Sequence, residues 1–205
     1  MEVKYIMEKL LGKFFLLFFL ILFLLINVCS SVFAAPYETN IQKASEYLKQ
    51  EQFNEAIKEL ETALTLVRQK ANLEFNKVQF VEEEPQGYGI YNPRRNNSFS
   101  FGETFLIYGE PKNYTIKEIE EGIFEIHLKE DLYILDKDNN ILFGQLDFYD
   151  FNLRSRSPNN EIIFTNTITQ EPGTAFPPGE YKLRLVLKDA HSQRMVEVTL
   201  DFEIK

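Results

Sequence analysis

The chain has 205 residues, 44% of them apolar, with 22 basic and 31 acidic side chains, one cysteine and no tryptophan. That length allows one substantial core plus a small appendage. The net charge of −9 argues against nucleic acid as a partner, because a domain of that sign repels phosphate backbones. The single cysteine, Cys29, lies near the N-terminus. The rest of the chain can therefore form no disulfide, thiol nucleophile or thiolate metal site, and a bacterial envelope protein fits this better than an extracellular eukaryotic one.

The N-terminus carries Lys4, Lys9 and Lys13, then an unbroken apolar run from Phe14 to Ile26, then small residues up to Ala34-Ala35-Pro36. A basic start, a short apolar centre and a small-residue exit describe a secretory signal peptide over residues 1–34, cleaved after Ala34. The rival is an uncleaved anchor over residues 14–35, a stretch long enough to span a bilayer. Both readings export the remainder, to the periplasm or the cell envelope, and membrane contact is expected only through residues 1–34. Without those residues 19 bases face 29 acids, and residues 36–78 hold only seven of the acids, so the negative charge is concentrated towards the C-terminus.

After Pro36 the apolar period is 3.6. Thr39 followed by Gln42 predicts a capping box, and a helix to about Gln50 carries Ile41, Ala44, Tyr47 and Leu48 on one face. Residues 51–54 break it, with Asn54 as cap for a second helix. That helix sets Ala56, Ile57, Leu60, Ala63, Leu64 and Val67 on one stripe and is expected to continue through Ala71 and Phe75. The run Ala44-Ser-Glu-Tyr47-Leu48 to Phe53-Asn-Glu-Ala56-Ile57-Lys-Glu-Leu60-Glu-Thr-Ala63-Leu64 resembles a tetratricopeptide repeat over about residues 40–68, a single unit. It departs from that pattern at Glu51, where the family prefers Gly, and no closing Pro follows Leu66. A lone unit cannot bury its own face, so the resemblance implies a helical hairpin over residues 36–78 that packs on something else, not a peptide-binding array.

From Val78 onward the chain is β-rich. Candidate strands are 105–108, 114–116, 123–128, 132–135, 141–143 and 162–168, followed by a closing hairpin. In that hairpin Tyr181, Leu183, Leu185 and Leu187 alternate with polar residues, and so do Val196, Val198, Leu200, Phe202 and Ile204. Pro177-Pro178-Gly179 stops the chain before the hairpin, and 189–193 make its polar turn. About eight short runs without a long helical period predict an antiparallel sandwich over residues 79–205. The segment Pro-Pro-Gly-Glu-Tyr-x-Leu-x-Leu-x-Leu-x-Asp looks like the closing hairpin of bacterial immunoglobulin-like domains. The stretch from Gly87 to Glu103 is similar to one in uncharacterised secreted bacterial proteins. These resemblances imply an immunoglobulin-like sandwich and no particular activity. The expected class is therefore α+β: an N-terminal signal or anchor helix, a tetratricopeptide-like helical hairpin and a β-sandwich.

Tyr88, Tyr91, Arg94, Arg95 and Phe99 crowd aromatics and guanidinium groups into a glycine-punctuated loop, the mixture found at interface hot spots and sugar sites. The same residues can instead serve the domain itself, the arginines pairing with its surplus acids and the aromatics plugging one end of the sandwich. Pro93 favours an extended loop in which Arg94 and Arg95 point to opposite sides, one inward and one to solvent. Asp136, Asp138 and Asn140 alternate as in the first half of a calcium loop, with Asp147 at the twelfth place. However, Ile141 stands where that loop needs Gly, so a plain polar turn is the alternative. His127 is expected on a solvent-facing strand position and His191 in a turn, with no third group to make a nucleophilic site with Ser192. No cofactor is expected. The reading that results is a non-enzymatic exported protein acting through a protein partner or self-association, or else a carbohydrate-binding or protease-inhibiting sandwich that uses the loop from Tyr88 to Phe101.

Overall fold

The computed structural model describes residues 35–170 and 176–205. The expected signal peptide or anchor of residues 1–34 lies outside the described residues. The chain divides into two compact units, 1–63 and 64–205.

The first unit holds helix α1 (Pro36–Lys49) and most of α2 (Phe53–Arg68). Helix α1 starts three residues before the expected cap at Thr39. Pro36 occupies its first turn, where a missing N–H costs nothing, and the Glu38 carboxylate accepts from the Ala35 amide at 3.0 Å. The break falls at the expected place, with Glu51 in the left-handed region at φ 58°, the conformation that glycine adopts most easily. Asn54 is not a cap: Ala56 N–H donates to the Gln52 carbonyl, which places Asn54 inside the first turn. Ala44, Ala56 and Ala63 are buried, so the helices meet on small residues. The larger side chains Ile57, Leu60 and Leu64 are 51%, 44% and 48% exposed.

Helix α2 ends at Arg68 and does not reach Phe75, because β1 (Glu74–Val81) already begins at Glu74. The first strand thus lies largely inside the segment assigned to the helical hairpin, and the boundary expected at 78/79 moves back. Besides β1, the second unit contains β2 (Ser98–Phe99), β3 (Phe105–Lys112), β4 (Lys117–Glu120), β5 (Ile123–Asp136), β6 (Ile141–Ser155), β7 (Phe164–Ile168), β8 (Gly179–Asp189) and β9 (Met195–Ile204). One sheet has the order β1-β3-β7. The other has the order β2-β9-β8-β5-β4, with β6 also on β5. The pairing is not wholly antiparallel, since β2 runs parallel to β9.

Two strands run longer than expected. Residues 123–128 and 132–135 belong to the single strand β5, because Glu130 and Asp131, which break the apolar pattern, are both buried within it. Strand β6 runs well past Phe143. Asp147 at φ 48° absorbs a register shift there, and its amide donates to Asp131 at 2.9 Å. The expected strand at 114–116 does not form. Thr115 instead spends its N–H and hydroxyl on the Asp189 carboxylate, at 2.8 and 2.7 Å.

Both sheets contribute to one core: Phe80, Ile107 and Phe164 from the smaller sheet and Leu132, Ile134, Leu183, Leu185 and Phe202 from the larger. Leu183 and Leu185 are fully buried, with Val198 and Leu200 packed on the same cluster. The alternation in the closing hairpin therefore points the way its period predicts. At Gly109 the Phe164 ring lies so close that an added Cβ would sit 2.1 Å from it, so only glycine lets the ring fill this part of the core.

Candidate functional site

The loop after β1 folds back on that strand. Glu82 N–H donates to the Asn92 carbonyl and Arg94 N–H to the Phe80 carbonyl. Between them residues 86–90 form a tight turn, with Gly89 at φ 70°. The Gly89 amide donates to the Tyr108 hydroxyl at 2.8 Å, and that hydroxyl donates to Glu110 at 2.6 Å. Burial and the Glu110 bond push the Tyr108 hydroxyl well above its usual range. Tyr91 lies on Tyr108, ring centroids 4.1 Å apart. Tyr88 is half-buried, and its hydroxyl is raised by burial and by the charges of Glu110 and Glu161.

Arg94 turns inward. Its guanidinium pairs with Glu103 at 2.7 Å, donates to the Ser98 carbonyl at 2.8 Å and lies 4.1 Å over the Phe99 ring. Phe99 is itself a core residue, packed among Phe80, Phe105 and Phe202. Arg95 is exposed. One arginine inward and one outward follows from extended backbone, but the inward one stacks on Phe99, not on a tyrosine. The cleft of about 270 Å³ beside Tyr91 is lined by Glu83, Glu84, Gln86 and Asn92, with neither arginine among its lining residues. It presents the carboxylates of Glu83 and Glu84 to solvent. A larger open cleft, about 680 Å³, lies by β8 and β9 and mixes Lys137, Lys182 and Lys205 with Glu180, Asp201 and Glu203.

The fold brings together two histidines that are distant in sequence. On the outward positions of β5 and β6, Arg154 donates to Glu125 at 2.7 Å, His127 Nε2 lies 2.8 Å from Asp150, and Lys129 pairs with Asp147 at 3.0 Å. The Arg154 bond chiefly holds the Glu125 carboxyl below its ordinary range. His191 Nε2 approaches Glu125 to 3.1 Å without hydrogen-bond alignment, and the two imidazoles are 6.2 Å apart. His127 is half-buried by this ladder of opposite charges and not fully open to solvent. Ser192 Oγ accepts from Arg194 Nε at 2.9 Å, so it is committed to the turn. Cross-strand charge pairs of this kind stabilise a sheet face. Among the described residues no group of three or more His, Cys, Asp or Glu is placed to hold a metal ion. The Asp136 carboxylate closes its own turn, accepting from the Asp138 and Asn140 amides and from the Asn140 side chain. Asp147, the residue at the twelfth place, is held by Lys129 and Lys188.

A buried hub in the β8–β9 turn has no counterpart among the sequence expectations. The Asp189 carboxylate, fully buried, accepts from Thr115 and from the His191 and Ser192 amides, and pairs with Arg194 at 3.0 Å. Arg194 also donates to the Arg68 and Ala71 carbonyls and to the Thr115 hydroxyl. An Asp opening a polar turn and an Arg closing it carry no local signal of this, because the partners lie 74 and up to 126 residues away.

No family model matches the chain, and no curated protein matches it. Among solved structures it is similar to the Niemann-Pick type C2 protein of the Japanese carpenter ant, at 10% identity and a TM-score of 0.39, over 66% of this chain and 94% of that one. It is similar to an immunoglobulin-like protein from Pseudomonas aeruginosa at 13% identity and a TM-score of 0.33, over 66% and 98%. An alkylpurine DNA glycosylase of Pseudomonas fluorescens gives 11% identity and 0.38, but the chain spans only 40% of that protein. All three TM-scores lie below 0.5, and no activity, ligand or partner follows from them. The chain is α+β, the described residues forming two helices and a mostly β body of two packed sheets, and an immunoglobulin-like protein is among the structures it is similar to.

Proposed function

We propose that the protein is an exported, non-enzymatic binding protein whose tetratricopeptide-like helical hairpin pairs with a second copy of itself. The observation that carries this is the apolar stripe of α2: Phe53, Ile57, Leu60, Leu64 and Val67 are all exposed. Their steps of four, three, four and three residues are those of a coiled-coil seam. An exposed contiguous apolar row on a helix marks an interaction surface. A like helix fits a seam of this period, and a second copy supplies what neighbouring repeats supply in an array. Export rests on the basic, apolar and small-residue sequence of residues 1–34 and on the absence of cysteine from the rest of the chain. The immunoglobulin-like sandwich serves here as the body that carries the hairpin.

Analytical ultracentrifugation of the purified protein tests the reading. We expect a dimer that becomes monomeric in Leu60→Lys and Leu64→Lys, with circular dichroism unchanged because both side chains are exposed. A monomer at concentrations up to about 100 μM, an affinity below what a standard-size interface supplies, would overturn it.

A further inference from the structure

Between the two sheets stands one pair of polar side chains. Glu130 on β5 is 0% exposed and Asn166 on β7 is 2% exposed. Asn166 Nδ2 donates to Glu130 Oε1. The other oxygen of each group, Glu130 Oε2 and Asn166 Oδ1, is buried with no hydrogen-bond partner. Both are acceptors when the carboxyl is ionised, and a buried acceptor without a donor is costly. A single proton removes both deficits. Placed on Oε2, it turns that atom into a donor, and the unmatched acceptor of the same pair is the Asn166 oxygen.

We propose that Glu130 and Asn166 form a neutral carboxylic acid–amide pair that holds one proton between the sheets, so that the cohesion of the sandwich weakens as pH rises. The surroundings fit a neutral acid. In register with Glu130 stand Leu187 on β8 and Tyr149 on β6, and Ile107 on β3 is in register with Asn166. The titratable group among these is the Tyr149 phenol. Next along the chain, Asp131 is held by Lys188 at 2.6 Å and by the Asp147 amide. Lys129, on the outward side, is held by Asp147 and Asp150. No cation is paired with Glu130 itself among the described residues. Burial pushes its carboxyl up, the Asn166 bond pulls it down and the Asp131 charge raises it, to about 8 from an ordinary 4.5. The folded state therefore keeps a proton that the unfolded chain releases. The stabilisation is complete below about pH 4.5 and is lost as pH rises to about 8.

Urea denaturation of the protein and of Glu130→Gln, compared at each pH from 4.5 to 9, tests this. The substituted amide keeps the shape of the carboxyl and pairs with Asn166 without a titrating proton. The ratio of the wild-type to the variant unfolding constant should rise by up to about tenfold per pH unit within the window and level off above it. Parallel stability profiles would overturn the proposal. Should Glu130→Gln not fold, the double variant Glu130→Leu with Asn166→Leu replaces the pair by apolar side chains, and its profile should lack the same slope. Carbon-13 titration of labelled glutamate carboxyls gives an independent reading on the wild type. One resonance should titrate near 8 in the folded protein, and all of them titrating near 4.5 would overturn the shared proton.

Discussion

Two turns of this protein look alike in sequence and differ in burial and in the reach of their partners. Asp136-Lys-Asp-Asn-Asn140 joins β5 to β6, and Asp189-Ala-His-Ser-Gln193 joins β8 to β9; each is a polar run opened by aspartate. The Asp136 carboxylate bonds only within its own turn, to the Asp138 and Asn140 amides and the Asn140 side chain. That is a local substitute for backbone bonds, of the kind Asp and Asn supply in any hairpin. Asp189 is buried and gathers Thr115, Arg194 and its own turn, and through Arg194 it fixes the carbonyls of Arg68 and Ala71. The lesson is that the importance of a turn aspartate depends on which distant groups reach it. Buried charge magnifies that difference, since desolvation must be offset by several bonds at once.

Removing the hub carboxylate should have the largest effect. Asp189→Ala leaves the Arg194 guanidinium and the Thr115 donors without their acceptor, and is expected to cost about 3–5 kcal/mol in urea denaturation. The acid side of the stability profile carries the same signature. Burial alone would raise the Asp189 carboxyl, but the bonds from Thr115, Ser192 and His191 win and hold it below its ordinary 3.8. Its contribution is therefore present above about pH 4 and is lost as pH falls through the depressed value. In Asp189→Asn that loss should be absent, and an unchanged acid limb would show the hub to be energetically idle.

An intermediate effect is expected for Arg194→Lys. Lysine keeps the charge beside Asp189 but not the fork that spans Thr115, Asp189 and two backbone carbonyls. The loss of two or more bonds to partly buried groups should cost about 1–3 kcal/mol. Hydrogen exchange at residues 69–73 should quicken along with the fall in the urea midpoint. The comparison breaks if lysine is as good as arginine there.

The smallest effect belongs to the other turn. Asp136→Ala removes bonds made in an exposed turn and should lower the melting temperature by no more than about 2 °C. A drop as large as that of Asp189→Ala would mean that the two turns are equivalent after all.

The legibility of the chain follows the same division. The β8–β9 hairpin is readable because Leu183, Leu185 and Leu187 bury one face while Lys182, Arg184 and Lys188 lie on the other, and a period of two survives any context. The meeting of Ala44, Ala56 and Ala63 and the exposed row from Phe53 to Val67 are likewise present in the helical period. Strand β5 reads as two pieces because Glu130 and Asp131 look like a turn, and nothing local says that both are buried. The loop residues Tyr91, Arg94 and Phe99 stand out in the sequence as unusual. Their use by Tyr108, Glu103 and Phe105 cannot be seen there, since no period in the loop says which side chains of β3 and of the residues just before it the loop folds back onto.

By itself the sequence determined the elements whose side-chain period matches their exposure: two amphipathic helices, the closing hairpin and the β-rich class of the body. It also determined the acidic balance and the lack of thiol chemistry beyond Cys29. Tertiary structure alone decided which polar residues are buried. Glu130 meets Asn166 across the two sheets, Asp189 meets Thr115 and Arg194, and the two histidines lie 6.2 Å apart on one face. The physical reason is that burial of apolar groups is additive and largely indifferent to partner, so it leaves a periodic trace in the chain. Burial of a polar or charged group depends on a few specific bonds to residues remote in sequence, and such pairings leave no period to read.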